Sequence, residues 1–349
     1  MIDFGLISRE CEKNFLRNQV WLKELEGKKI LLTGATGFFG TWFLGSLSAL
    51  NKLLHQPVKI VAFVRSEQKA REKFEGVSHD VEFIEGDLFR LEGCNLDVDI
   101  IIHAAVGGSP VPEEENSELL FDNIVEGTRS ALKFAAKRNI SSFLLISSGG
   151  VYGPVPKEGS PVKENYLGVE PSMTAGYRSM YSIGKRAAEN LGVAYSQKFG
   201  FKFVSARCFA FVGPYLPMQS NFAIGNFIHD ALTSNKIIVG GDGTPVRSYM
   251  YMSDLVTSLY ALAIKGQSGE AYNVGGVQEI TIEDLAYLIR DSLCPKGSVE
   301  VRESRPQMPK DNLYVPNLEK LNSLIPISEF VSLRQAIEKT ASWYRNQLS

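Results

Sequence analysis

Over the first 27 positions apolar residues recur at roughly helical spacing, with Phe15, Leu16, Val20, Trp21 and Leu25 marking one face. The pattern predicts an amphipathic helical extension that packs as a surface helix on the body. From Lys28 the period changes. KKILLTG is a short apolar run closed by glycine, and VKIVAFV, DIIIHAA and FLLISS are three more of the same kind. They are rich in Ile, Val and Leu rather than alternating, as befits strands buried on both faces. Longer amphipathic stretches such as NIVEGTRSALKFAAKRN lie between them. Strand alternating with helix predicts parallel βαβ units with crossovers on both faces of one sheet.

After residue 170 the rhythm loosens. FKFVSARCFAFVGP reads as one more buried strand with its exit loop, and Pro214 to Arg247 is rich in Gly, Pro and Asn. YMYMSDLVTSLYALAI predicts a helix capped by Ser253, followed by helices at IEDLAYLIRDSL and SLRQAIEKTASWYRNQ. The expected fold is α/β: a doubly wound parallel sheet of Rossmann type with a smaller, interleaved C-terminal substrate lobe. Its expected parts are a helical extension at 1–27, a dinucleotide-binding core at 28–170 completed by parts of 171–213 and 245–280, and a lobe mainly at 214–349.

Composition narrows the function classes. Apolar residues are 44% and charged residues 22% of the 349, an ordinary balance for a globular protein. A net charge of -2 gives no field favouring nucleic acid or an anionic membrane, and neither is expected as a partner. Cys11, Cys94, Cys208 and Cys294 are scattered without a CxxC pair, which argues against a zinc site or disulfide framework. No apolar run approaches 18 residues, and Asp3, Arg9, Glu10 and Glu12 interrupt any signal-peptide layout. A metal-free, cytoplasmic protein is expected.

The first strand ends in Thr33-Gly34-Ala35-Thr36-Gly37-Phe38-Phe39-Gly40, a GxxGxxG loop opening the next helix. Glycines let a backbone turn tightly and approach a pyrophosphate, and a helix N-terminus offers it free N–H groups. The position after a strand, at the first βα turn, gives the triplet its meaning. NAD or NADP is therefore the expected cofactor, held by Gly34, Thr36, Gly37, Phe38, Phe39 and Gly40. An acidic residue at the end of the second strand would favour NAD, but this chain has Arg65, with Ser66, Lys69 and Arg71 nearby, which leans toward NADP. Asp87 and Leu88 fall where such folds touch adenine, and Ala104 and Ala105 end a strand in small residues that would admit the cofactor. His103 reads as a packed strand-end histidine rather than a base.

Tyr181-Ser182-Ile183-Gly184-Lys185 is a YxxxK pair, which a helix places on one face. A nearby ammonium favours the phenolate, so Tyr181 can work as a base near neutrality. Ser147 and Ser148 end a strand upstream. Glycine loop, serine and YxxxK stand in the order of the short-chain dehydrogenase/reductase superfamily, which the chain resembles. More narrowly it resembles the extended, nucleotide-sugar-modifying branch, the NAD-dependent epimerase/dehydratase family, over residues 27–345. The marks are GATGFFG, the HAA at 103–105, NIVEGT, SSGGVYG, YSIGK, RCFAFVGP, RSYMYMSD and YNVGG.

That resemblance implies a nucleotide-diphosphate sugar as substrate and a homodimer built from the helix at 123–137 and the helix carrying Tyr181. Val125, Ala131, Leu132, Ala135 and Ala136 are the expected contact residues, unless they cover the sheet. It implies that Ser148 bonds the sugar's C4 oxygen, Tyr181 takes its proton and Lys185 bonds the nicotinamide ribose, with Ser147 and Asn123 also on the cofactor side. Arg247 would grip the diphosphate, as guanidinium geometry suits. Ser109, Gly149, Asn221 and Phe222 would complete the substrate side, and the loops at 107–118 and 154–178 and the segment 214–247 would read the sugar and base.

Departures from the family pattern sort the reactions. Where dTDP-glucose 4,6-dehydratases read T-D-E and UDP-glucuronate decarboxylases keep a Glu, this chain has Ser148, Gly149 and Gly150. Glycine transfers no proton, which argues against dehydration unless another acid, such as one of Glu113, Glu114 or Glu115, substitutes. Ala210 stands where many relatives carry Asn for the diphosphate. Around Tyr181 the Arg178-Ser179-Met180 lead-in is similar to the decarboxylase subgroup. The expectation is an epimerase. The alternatives are an NADPH-dependent 4-keto-sugar reductase, a dehydratase or decarboxylase, and a non-enzymatic NAD(P)H sensor.

Overall fold

Residues on neighbouring positions of each strand point to opposite faces of a sheet, and the core divides along that line. Ile30, Leu32, Ile60, Ala62, Ile102 and Leu144 belong to one apolar cluster, whereas Leu31, Val61, Phe63, Ile101, Phe143 and Leu145 belong to another. A computed structural model of the chain describes residues 2–105, 117–168, 176–220, 222–302 and 313–348. Its strands β1 (Lys29–Thr33), β2 (Lys59–Val64), β3 (Val81–Glu85), β4 (Ile100–His103), β5 (Ser142–Ser148), β6 (Lys202–Cys208) and β10 (Glu270–Val274) form one sheet in the order β10-β6-β5-β4-β1-β2-β3. Every pairing in it is parallel. The order reverses between β1 and β4, the crevice at which such sheets bind ligands.

Two layers cover the sheet. On one side lie α1 (Phe4–Leu22), α2 (Phe38–Asn51) and α7 (Met252–Lys265), whose apolar residues join the first cluster. On the other lie α4 (Ser117–Ala136) and α5 (Tyr177–Phe199). The N-terminal extension is thus a packed helix: Ile7, Cys11, Phe15 and Leu22 are buried. Gly45 on α2 lets α1 come close, since a Cβ there would sit 2.7 Å from Ile7. The remaining elements build the lobe. β9 (Val246–Tyr251) pairs with β7 (Ala210–Val212), β11 (Glu279–Thr281) and β13 (Leu313–Tyr314), and β8 (Lys236–Val239) with β12 (Ser298–Val301). The helices α6 (Ala223–Thr233), α8 (Ile282–Leu293) and α10 (Leu333–Leu348) cover them.

Two expectations are corrected. Ser253 does not cap α7: β9 runs straight into the helix, Tyr251 is the N-cap, and no side chain caps it. Ser253 lies within the first turn, buried, where its hydroxyl accepts from Asn14 Nδ2 of α1 at 3.4 Å. Ala131, Leu132 and Ala135 are not surface residues; they belong to the core between α4 and the sheet, and Val125 is buried as well. Burial of that stripe against β-strand side chains is what holds α4 down.

Among the described residues no helix is long and apolar enough to cross a membrane. None of their His, Cys, Asp and Glu side chains group as a metal site.

Candidate active site

The glycine loop lies at the switch point. Gly34 has φ +73°, and a Cβ there would stand 2.6 Å from the Ala104 backbone. Only glycine lets the loop and the end of β4 approach this closely. Gly40 is pressed against Ala35, whose carbonyl would be 2.2 Å from an added Cβ. Gly37 is the N-cap of α2, and a Cβ there would meet only the Gly34 carbonyl, at 3.3 Å, so the cradle is open above it. The first turn of α2 presents backbone N–H groups there. The loop fits a dinucleotide pyrophosphate on these grounds.

The flanks are polar on one side and aromatic on the other. Thr36 is exposed, and its carbonyl accepts from Lys73 Nζ at 2.7 Å. Phe38 and Phe39 are partly buried, and Phe39 meets Phe211 edge-on at 5.3 Å. The Ala105 N–H donates to Thr33 Oγ1 at 3.3 Å. Arg65 follows β2 directly and is exposed, and Ser66 caps the short helix α3 (Glu67–Lys73). Asp87 is exposed and accepts from the Phe89 N–H at 3.0 Å, while Leu88 packs toward Gly127 of α4. His103 is the packed histidine the sequence implies. It lies between Thr33 Oγ1 at 2.8 Å and Thr128 Oγ1 at 3.3 Å, and burial, aided by the Lys185 charge, lowers it to about 3.

The three residues expected to be catalytic, Ser148, Tyr181 and Lys185, converge at the end of β5. Ser148 Oγ accepts from the Gly150 N–H at 3.0 Å, which fixes its rotamer toward the cleft. Tyr181 rises from α5 beside it: a Cβ on Gly150 would lie 3.2 Å from Ser148 Oγ and 3.5 Å from Tyr181 Cε1. One turn on, Lys185 is buried and donates to the Ile146 carbonyl of β5 at 2.7 Å. Burial lowers it to about 8, against the raising charges of Cys208 and Glu189. On its other side the helix packs on α4, where Gly184 faces Ile124 and Phe121. Asn123, partly buried, is beside that contact.

Alternation along β5 turns Ser147 the other way, and its hydroxyl donates to Glu189 Oε1 at 2.6 Å. Glu189 also takes Arg207 Nη2 at 2.7 Å, in a pair that is largely buried. Glu189 continues the series Tyr181, Lys185 at the same helical spacing. That spacing was a readable signal for a residue bracing the trio from behind.

On the substrate side, Gly149 is covered by the ring of Phe209, 2.8 Å from any added Cβ. Tyr314 packs on Phe209 with its ring tilted and the centroids 4.6 Å apart, and Arg247 Cζ lies 5.7 Å from the Tyr314 ring. Arg247, partly buried, thus lies next to Tyr314. Phe222, the N-cap residue of α6, is 53% exposed. Ser109, Asn221 and the run Glu113 to Glu115 lie outside the described residues. Phe209 and Tyr314 are site residues that sequence spacing does not single out.

A serine hydroxyl, a phenol with a lysine one helical turn away, and an open pyrophosphate cradle at the switch point can together accept a proton from an alcohol held over a dinucleotide. Comparison with known proteins points the same way. A profile described as the NAD dependent epimerase/dehydratase family matches residues 30–275. The chain is 30% identical over 327 residues to UDP-glucuronic acid decarboxylase 1 of Arabidopsis thaliana, a match covering 92% of this chain and 70% of that protein. Its fold is similar to an epimerase of Methanothermobacter thermautotrophicus, with a TM-score of 0.78 at 22% identity, covering 96% and 97% of the two chains. It is also similar to the UDP-glucuronic acid 4-epimerase of Bacillus cereus, solved with UDP-glucuronic acid and NAD, with a TM-score of 0.75 at 24% identity over 92% and 100%.

Proposed function

The chain belongs to the NAD dependent epimerase/dehydratase family, and from that premise we propose that it is a nucleotide-sugar 4-epimerase with UDP-glucuronic acid as its first candidate substrate. The observation that carries this reading is the end of β5. Ser148 is followed by Gly149 and Gly150, and Phe209 fills the place that a side chain at 149 would take. An elimination of water needs a proton donor at that place, whereas epimerisation needs none. The sugar is suggested by the Arabidopsis thaliana and Bacillus cereus proteins, which share it in their names.

NAD, when bound, supplies an acceptor and later a donor of hydride. Gly34, Thr36, Gly37 and the first turn of α2 would hold its pyrophosphate, and Lys185 its ribose. The chain's own groups handle the proton. Ser148 holds the C4 oxygen, and Tyr181 removes its proton. Lys185, one helical turn away, stabilises the phenolate. Once C4 is a ketone the sugar would turn its opposite face to the nicotinamide site, hydride would return to C4 on that face, and Tyr181 gives the proton back to the C4 oxygen. Arg247 anchors the diphosphate while this happens.

Decarboxylation is the second reading, favoured by the similarity to the plant decarboxylases. Oxidation of UDP-glucuronic acid at C4 makes a β-keto acid, which loses carbon dioxide without help from a carboxylate at 149 or 150. One assay separates the two. Purified protein is incubated with UDP-glucuronic acid, and products are read by chromatography and carbon dioxide release. UDP-galacturonic acid without gas supports the epimerase; a pentose product with gas replaces it by the decarboxylase. Nucleotide released on denaturation should be NAD at one per chain. An empty site that binds NADPH reversibly would overturn both readings in favour of a 4-keto reductase, and would give Arg65 the role its charge suggests.

A further inference from the structure

The chain returns to the reacting centre late in the sequence, on a two-residue strand. β13 pairs in parallel with β9 so that Tyr314 stands opposite Arg247. From there the Tyr314 hydroxyl lies 3.5 Å from Ser148 Oγ and 3.4 Å from the carbonyl oxygen of Cys208. Both separations are longer than an ordinary O–H···O bond. Among the described residues the phenol thus has these neighbours at long range, and a closer acceptor would improve on either. Its ring is fixed against Phe209, so the hydroxyl cannot swing away. Tyr181 lies near enough for its charge to act on Tyr314.

We infer that Tyr314 contacts the substrate, its hydroxyl donating to the sugar's C4 oxygen alongside Ser148. The inference rests on the C4 chemistry proposed above and deepens it. An alcohol oxygen that gives its proton to Tyr181 has two lone pairs, and Ser148 satisfies one. Tyr314 satisfies the other. When C4 becomes a carbonyl, the same two donors hold its oxygen in place and polarise it for the return of hydride. The task calls for a donor that stays neutral. Burial pushes the Tyr314 phenol well above its ordinary value, the Ser148 contact partly opposes this, and the charge of Tyr181 adds to it. Two tyrosines in one site thereby divide the work, one accepting a proton and one retaining it.

The test is Tyr314→Phe, which keeps the ring on Phe209 and deletes only the hydroxyl, assayed beside Tyr181→Phe with UDP-glucuronic acid. The expected result for Tyr314→Phe is a fall in kcat on the order of 100-fold with KM within about threefold of the parent. Retained NAD and melting temperature should match the parent. Unchanged kinetics in Tyr314→Phe, with Tyr181→Phe inactive, overturns the inference and leaves the C4 mechanism standing. A raised KM at parental kcat overturns it too, because it shows binding that is no stronger in the transition state. Loss of activity together with loss of NAD or thermal stability assigns Tyr314 a structural role and also overturns it. An active Tyr181→Phe brings down the mechanism itself.

Discussion

Lys185 carries its ammonium into the core with 2% of its surface exposed. Burial is the main reason its pKa falls to about 8 from 10.5. Between those values the unfolded chain holds a proton that the folded chain has released. Stability from this group therefore rises as pH climbs from about 8 to 10.5, and the cost of the buried cation is fully present below 8. In the proposed mechanism function runs the other way, since the cation that would support the Tyr181 phenolate is lost above about 8. In cofactor-free protein, the lysine ¹³Cε resonance that disappears in Lys185→Met should titrate near pH 8; a midpoint above 10 would contradict this. Tyr181→Phe should lower kcat by about 10²- to 10⁴-fold while NAD stays bound, as measured by turnover and by cofactor release on denaturation. These residues were legible because their spacing is local: a helix places i and i+4 together whatever surrounds it. Tyr314 was not legible, since its place beside Ser148 comes from a two-residue strand pairing far along the chain, and no local period announces it.

At the scale of elements, the central strands could be read because burial on both faces writes a continuous apolar run. β3 is an edge strand with Glu82 and Glu85 exposed, so its run is broken and fainter. The strands of the small sheet around β9 are mostly two or three residues long and carry no period at all. The inward face of α4 could be read from the sequence as either a helix–helix or a helix–sheet surface, because small apolar residues suit both, and its burial selects the sheet. α1 illustrates what an extension contributes once packed. Phe15 is fully buried and meets Tyr260 edge-on at 5.9 Å. Phe15→Ala should cost about 3–5 kcal/mol by urea unfolding, with the NAD content of the folded fraction unchanged. Asn14 of the same helix donates to Asp254 Oδ1 at 2.7 Å, and the Val331 N–H donates to Oδ2 at 2.8 Å. Burial outweighs these two bonds and the charge of Arg17, and raises Asp254 to about 6 from 3.8. In that window the folded chain binds the extra proton, so this group's contribution to stability falls as pH rises from about 4 to 6. Denaturant titrations across that range should show the decline, and Asp254→Asn should flatten it.

For the whole molecule, the parallel sheet and its switch point followed from the order of runs and the place of the glycine loop. The shape of the lobe did not, because it depends on long-range pairings. Assembly can now be argued from the surface. Leu119 at the start of α4 and Ile183 on α5 are 39% and 41% exposed on the two helices that pack against each other. We expect these helices to meet a second copy, with light scattering giving a dimer at micromolar concentration and Ile183→Glu shifting it to monomer. A monomeric parent protein would end that reading. The tie between α1 and the far end of the chain reaches into biosynthesis. Glu10 pairs with Lys339 at 2.7 Å and Arg17 with Glu329 at 3.2 Å, while the buried face of α1 packs on α7 as well as α2. During translation α1 leaves the ribosome long before α7 and α10 exist. For most of synthesis Phe15 and its apolar neighbours have only α2 to lean on, a greasy helix waiting for its cover. A nascent chain stalled before α7 should therefore be the form that chaperones capture most readily, even though its nucleotide-binding strands are already complete from β1 to β5.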